Sequence, residues 1–256
     1  MKISSPQVRC IAKTMADFDV IQDFLEAEKL TWNKTQNSSE SDNLVEFSGR
    51  VCYMSFGSRQ SPRNNEQYIR NLIDSGHGSV LEHVNWTFIA SGVSRGFTHQ
   101  LVRHRVGFSY SQLSQQYYDE SEAAFVAPPA LKKGSSLYTK WVDAMHSSII
   151  LYRELIASAQ NLSISDTFSN KEKLRELRTT ARSILPNAIE TKIVFTANAR
   201  AIRNFLIARG AIEGDWEMRD VSTQILNIVK KDAPSLFQDF DVVTLEDDTN
   251  AVKRKP

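Results

Sequence analysis

Hydrophobic positions recur along this chain with two spacings, and polar stretches divide them. Val8 to Ile11, following Pro6, reads as a short strand. Phe18, Ile21, Phe24 and Leu25 recur at helical spacing and predict a helix over 17–29. Residues 31–43 are rich in Asn and Ser, lack an apolar face and read as an exposed loop. Order resumes over 44–56 around Val45, Phe47, Val51, Cys52 and Tyr53. Tyr68, Ile69, Leu72 and Ile73 predict a helix over 64–75, which Gly76 would end. A strand is predicted over 84–90, then a helix over 94–105. Its wheel puts Val93, Phe97 and Leu101 on one face and Arg95, His99 and Arg103 on a second stripe. Gln100 and His104 fall beside the apolar stripe. Either they meet partners or a ligand there, or the helix stops before His104.

The second half continues the alternation. Residues 119–136 read as a loop containing Pro128, Pro129 and Gly134. Trp141, Met145, Tyr152 and Leu155 belong to a long helix over 137–162. Another helix, 170–184, is closed by Leu185-Pro186. A strand over 189–196 leads to a helix over 198–209. Ala199, Ile202, Phe205 and Leu206 form its apolar face, Arg200, Arg203 and Asn204 lie opposite, and Asn198 and Arg209 come round to the apolar side. A buried arginine needs a carboxylate or a bound anion. Val221, Ile225, Ile228 and Val229 stripe a helix over 215–230, a last strand covers 240–245, and 246–256 reads as a solvated tail. No repeat or linker interrupts the order. The expectation is one α/β (α+β) domain over 1–256, a mixed sheet flanked by helices with its core over 44–245.

Composition narrows the function. A net charge of +1 gives no global pull towards nucleic acid or an anionic membrane. Cys10 and Cys52 make neither a CxxC pair nor a disulfide framework, which fits a reducing compartment. No apolar run approaches the roughly 18 residues of a membrane span, and no signal-peptide core follows Met1, so the expected location is cytoplasmic. GxGxxG and GxxxxGK[ST] are absent, so neither a Rossmann site nor a P-loop is signalled. The five histidines lack metal-site spacing, and no metal is expected.

The densest chemistry lies in Arg103 to Tyr118. Arginines and a histidine lead into hydroxyls, aromatic rings and amides, with no acid before Asp119. Guanidinium forks grip phosphates and planar oxyanions, and hydroxyls and amides complete such a grip. The stretch reads as a site for a planar anion, or else as a basic helix running into a polar loop. Ser114 could be a nucleophile with His104 as its base, although hydroxyls in such loops usually only hydrogen-bond.

This segment resembles the signature of the flavin-dependent thymidylate synthases: Arg103-His104-Arg105, eight residues, then Ser114. The family's more familiar spacing is seven, which makes Val106-Gly107 the place of a one-residue insertion. His77-x-Ser79-x-x-Glu82-His83, Ala181-Arg182-Ser183-Ile184-Leu185-Pro186 and Thr196-Ala197-Asn198-Ala199-Arg200, with Asn204 and Arg209, extend the resemblance over about residues 44–245. It implies a non-Rossmann α/β fold and a homotetramer with active sites at subunit interfaces. It also implies reductive methylation of dUMP to dTMP, with methylenetetrahydrofolate as carbon donor and NADPH-reduced FAD as hydride source. The implied dUMP residues are Gln100, Arg103, Gln112, Leu113, Ser114, Gln115, Arg182 and Arg209. Of these, Arg182 would face the phosphate and Arg209 the pyrimidine, and with Ser114 they are the catalytic candidates. The implied FAD residues are His77, Ser79, Glu82, Arg103, His104, Arg105, Val106, Asn198, Arg200 and Asn204. The chain departs from the family in having Gln116 for a usual arginine, Lys192 for arginine and Cys52 for a hydroxyl, and in the composition of 210–215. A related C5-methylase of another uridine nucleotide such as UMP is the neighbouring alternative. A non-catalytic nucleotide- or RNA-binding protein is the distant one.

Overall fold

A computed structural model describes residues 1–158, 164 and 167–255. Its strands are β1 (Lys2–Ser4), β2 (Gln7–Lys13), β3 (Asn85–Ser94), β4 (Phe108–Gln112), β5 (Ala124–Val126), β6 (Glu190–Asn198), β7 (Phe240–Thr244) and β8 (Asn250–Arg254). Its helices are α1 (Phe18–Ala27), α2 (Glu40–Tyr53), α3 (Asn65–Asp74), α4 (Arg95–Leu101), α5 (Ser136–Ala157), α6 (Asn170–Arg182), α7 (Ala199–Arg209) and α8 (Trp216–Asp232). A four-stranded sheet has the order β2-β3-β6-β4, and two-stranded sheets pair β1 with β5 and β7 with β8. This is the expected mixture of sheets flanked by helices.

The chain forms two compact units. Unit 1 comprises Met1–Gln7, Ala90–Arg103 and Tyr110–Val194. Its core gathers Phe125, Ile149, Tyr152, Ala181 and Ile189, with Trp141 and Met145 packed against them. β1 and β5 pair in parallel, with Ile3 opposite Phe125. α5 and α6 lie side by side. α6 starts at a capping box, in which Ser169 and Glu172 exchange side-chain and backbone hydrogen bonds. The predicted end of α5 beyond residue 158 lies outside the described residues.

Unit 2 comprises Val8–Ile89, His104–Ser109 and Phe195–Pro256. Aromatic rings make much of its interior: Trp86 meets Phe237 at 5.9 Å, and Phe88 meets Phe195 at 5.1 Å. α3 begins at a capping box of Asn64 and Gln67, and Gly76, at φ +72°, follows its end in the left-handed region. Arg50 and Glu46 form a fully buried ion pair at 2.7 Å, with Arg50 also stacked over Tyr68.

Five expectations change. Residues 40–43 belong to α2, and Ser41, Asp42 and Asn43 are buried, because Asp42 accepts from the backbone N–H groups of Ser235 and Leu236. The predicted tail contains β8, which pairs with β7 and buries Ala251 and Val252. The loop over 119–136 contains β5. Arg203, expected on the exposed face of α7, is buried and makes a bidentate pair with Asp239 at 2.7 Å through each nitrogen. Finally, α4 ends at Leu101, so the helical wheel does not extend to Arg103 and His104.

Candidate active site

In unit 1, the side-chain oxygen of Ser94 caps α4 by accepting from Phe97 N at 3.0 Å. That cap starts a seven-residue helix whose exit is fixed by Tyr110, which donates its hydroxyl to Leu101 O at 2.9 Å. Gln112, on β4, donates Nε2 to Thr98 Oγ1 at 2.8 Å, and Leu113 N donates to Lys192 O at 2.9 Å. Helix and strand thereby hold an open cavity of about 250 Å³, lined by Arg95, Thr98, His99, Gln112, Gln115 and Asn187. Arg182 stands in the last turn of α6, half-buried, and its charge reaches Arg95. Burial, followed by the Arg182 cation, holds the Arg95 guanidinium below its ordinary value, against the opposing pull of Glu120. The half-buried Arg95 guanidinium, set among the Gln112 and Gln115 amides, offers a fork to an anion.

Glu120, only 1% exposed, interacts with two of the lining residues, Gln115 and Arg95. Burial pushes its carboxyl up, while a hydrogen bond from Gln115 and the Arg95 charge act the other way. The remaining nucleotide candidates of unit 1 behave differently. Gln100 and Leu113 are half-buried, and Arg103 is exposed beyond the end of α4. Ser114 Oγ accepts from Gln116 N at 3.3 Å, and Ser114 O accepts from Tyr117 N and Tyr118 N, so this serine shapes a turn. Gln116 donates to Thr179 on α6, and Lys192 pairs with Glu190 at 2.9 Å. Arg95 and Glu120 were not among the expected site residues. Arg95 had a visible signal, the i, i+4 basic stripe; Glu120 had none.

In unit 2, α3 gives way at Gly76 to a 3-10 turn over Gly78–His83. Glu82, from this turn, pairs with Arg200 of α7 at 2.7 Å. The Arg200 guanidinium lies so close over Gly78 that a Cβ there would stand 2.8 Å from Nε. An open cavity of about 230 Å³ follows, lined by Gly76, Gly78, Leu81, Arg200, Asn204 and Arg254 among others. His77 and Ser79 are exposed on the same turn, and the His77 ring lies 6.2 Å from that of Tyr53. Asn198 caps α7 by accepting from Ala201 N at 2.8 Å. Gly107, at φ +74°, packs on that cap. Arg105 and Val106 are exposed, Val106 at 88%. Guanidinium and amide donors around a glycine-floored hollow fit the acceptor-rich edges and phosphates of a flavin dinucleotide.

Arg209 also lies in unit 2, at the end of α7, where its Nε donates to His104 Nε2 at 3.1 Å. Burial, then the Arg209 cation, lowers the His104 pKa. The structure thus joins a residue expected at the flavin to one expected at the nucleotide. Among the described residues, no group of three or more His, Cys, Asp or Glu side chains could hold a metal ion, and no helix is long and apolar enough to cross a membrane.

Residues 35–235 match the family model described as thymidylate synthase complementing protein. The chain is 40% identical over 245 residues to a flavin-dependent thymidylate synthase of Mycobacteroides abscessus, covering 95% of this chain and 93% of the relative. It is 39% identical over 250 residues to a protein of the same name from Mycobacterium avium, covering 97% and 95%. The Mycobacterium tuberculosis protein of that name is 39% identical over 245 residues, covering 95% and 93%.

Proposed function

Because this chain belongs to the flavin-dependent thymidylate synthase family, we propose that its two cavities serve the two ligands of one reaction. The enzyme methylates dUMP to dTMP and depends on FAD. NADPH is the reductant and methylenetetrahydrofolate the carbon donor. When bound, the flavin supplies hydride chemistry. The chain's own residues bind, orient and polarise.

On the nucleotide side, Arg182 and Arg95 hold the phosphate, where a guanidinium fork is at its strongest. Gln100, Arg103, Gln112, Leu113, Ser114 and Gln115 complete that surface. Arg209 faces the pyrimidine carbonyl, where a fixed cation stabilises the negative charge that grows as C5 becomes nucleophilic. No enzyme nucleophile is needed, which agrees with Ser114 acting in a turn. His77, Ser79, Glu82, Arg103, His104, Arg105, Val106, Asn198, Arg200 and Asn204 hold the flavin. The working form is a cytoplasmic homotetramer with active sites at subunit interfaces. Exposed Leu137, Ile150 and Leu151 on α5 and Leu174 on α6 support the assembly, as apolar area for another copy to cover.

The observation that carries the reading is the cavity in which the Arg95 guanidinium stands with the Gln112 and Gln115 amides. A guanidinium next to amides suits a phosphate monoester attached to a uracil-like ring. Purified protein given FAD should absorb at about 450 nm and bleach with NADPH. Protein that takes up no FAD would sink the assignment.

A further inference from the structure

His104 follows α4 and has its ring fixed by two others. Phe205 meets it edge-on at 5.1 Å, and Phe108 lies tilted against it at 6.1 Å. Its Nε2 accepts from Arg209 Nε at 3.1 Å. An imidazole nitrogen that accepts carries no proton, so His104 is neutral here with its hydrogen on Nδ1. Among the described residues, no hydrogen bond takes up the terminal nitrogens of Arg209. Anchored through Nε, the guanidinium offers its Nη1–Nη2 edge to a planar acceptor. An arginine side chain has much rotamer freedom to lose, and an acceptor held by two rings removes part of that loss before the ligand arrives.

We infer that His104 is a positioning residue for Arg209, holding its guanidinium ready for the pyrimidine as long as the imidazole stays neutral. The inference rests on the reading of Arg209 given above, and it adds a nucleotide-side task to a residue expected only at the flavin. Protonation of His104 removes the acceptor and sets two cations side by side. Arg209 is a charged group that bears on the ring, and Phe108 and Phe205, which pack on it, do not titrate. Burial and Arg209 together hold the imidazole below its ordinary pKa, so the arrangement persists at neutral pH and fails on the acid side.

Two variants test this in the full-length protein. His104→Phe keeps a ring but has no acceptor, whereas His104→Gln offers an uncharged amide oxygen at every pH. FAD affinity is measured by titration without nucleotide, dUMP affinity by calorimetry on the FAD-loaded protein, and kcat from about pH 5 to 8. For H104F, dUMP affinity and kcat should each fall roughly 10- to 100-fold, as for loss of a hydrogen bond to a charged group, a larger loss than that of FAD affinity. H104Q should recover part of the dUMP affinity that H104F loses and should lose the acid limb of the profile. Adding H104F to Arg209→Lys should cost far less than H104F alone. An acid limb that persists in H104Q, additive losses, or FAD affinity falling as much as dUMP affinity would overturn the inference. Wild-type enzyme that binds FAD but makes no dTMP would instead overturn the underlying function, and this inference with it.

Discussion

Replacing Gly107 by alanine adds one methyl group where there is no room for it. The residue sits at φ +74°, which costs a residue with a side chain about 1–2 kcal/mol. The new Cβ would lie 2.7 Å from Asn198 Nδ2 and 2.8 Å from Ala201 Cβ. Overpacking of that kind costs about 1–3 kcal/mol. The predicted loss is therefore about 2–5 kcal/mol, and more if Asn198 is pushed off the α7 cap, a bond worth about 1 kcal/mol. Gly57→Ala is the internal control. Gly57 has φ +56° with nothing within 4 Å of its absent Cβ, so it should lose only the backbone contribution. Urea unfolding of both variants, followed by circular dichroism, measures the difference. A Gly107→Ala loss no greater than that of Gly57→Ala would refute the packing argument, and with it the view that the extra residue of the signature is seated on α7.

Other substitutions test other parts of the account. Arg182→Ala should raise KM for dUMP by roughly 10- to 100-fold, with FAD affinity unchanged; equal loss of both ligands in steady-state and binding assays would contradict its phosphate role. Arg203→Met removes both Arg203 hydrogen bonds to the Asp239 carboxylate, leaving its contact to Arg254, and should lower stability by about 3–5 kcal/mol in a denaturant titration. Glu120→Gln tests a pH linkage. Burial raises this carboxyl above its unfolded value, so its favourable contribution is full below the unfolded pKa and is lost as pH rises through the folded one. The glutamine variant should gain Tm relative to wild type near neutral pH and lose that gain at about pH 4; a gain independent of pH would exclude the linkage.

Much of the fold could be read locally because its elements carry their own signals. α3 and α6 open on capping boxes, and α7 opens on Asn198. What escaped depends on partners distant in sequence. Residues 40–43 look like a polar loop until Asp42 meets the backbone at 235 and 236. The last strand is invisible without β7 to pair with. Arg203 looks like a surface residue until Asp239 arrives to neutralise it. The end of α4 is set by a tyrosine hydroxyl from the following strand, which a helical wheel cannot represent. The candidate site follows the same rule. Residue types at signature spacing were legible, but the contact between His104 and Arg209, and the buried Glu120 near Arg95, belong to the folded chain alone.

The most direct test of the central claim is a single turnover. Enzyme carrying reduced FAD is mixed with dUMP and methylenetetrahydrofolate, in the absence of further reductant, and the nucleotide pool is analysed. The account predicts close to one dTMP per flavin, together with return of the oxidised flavin band, and little product when UMP replaces dUMP. Flavin reoxidation without dTMP, or faster methylation of UMP than of dUMP, would contradict it.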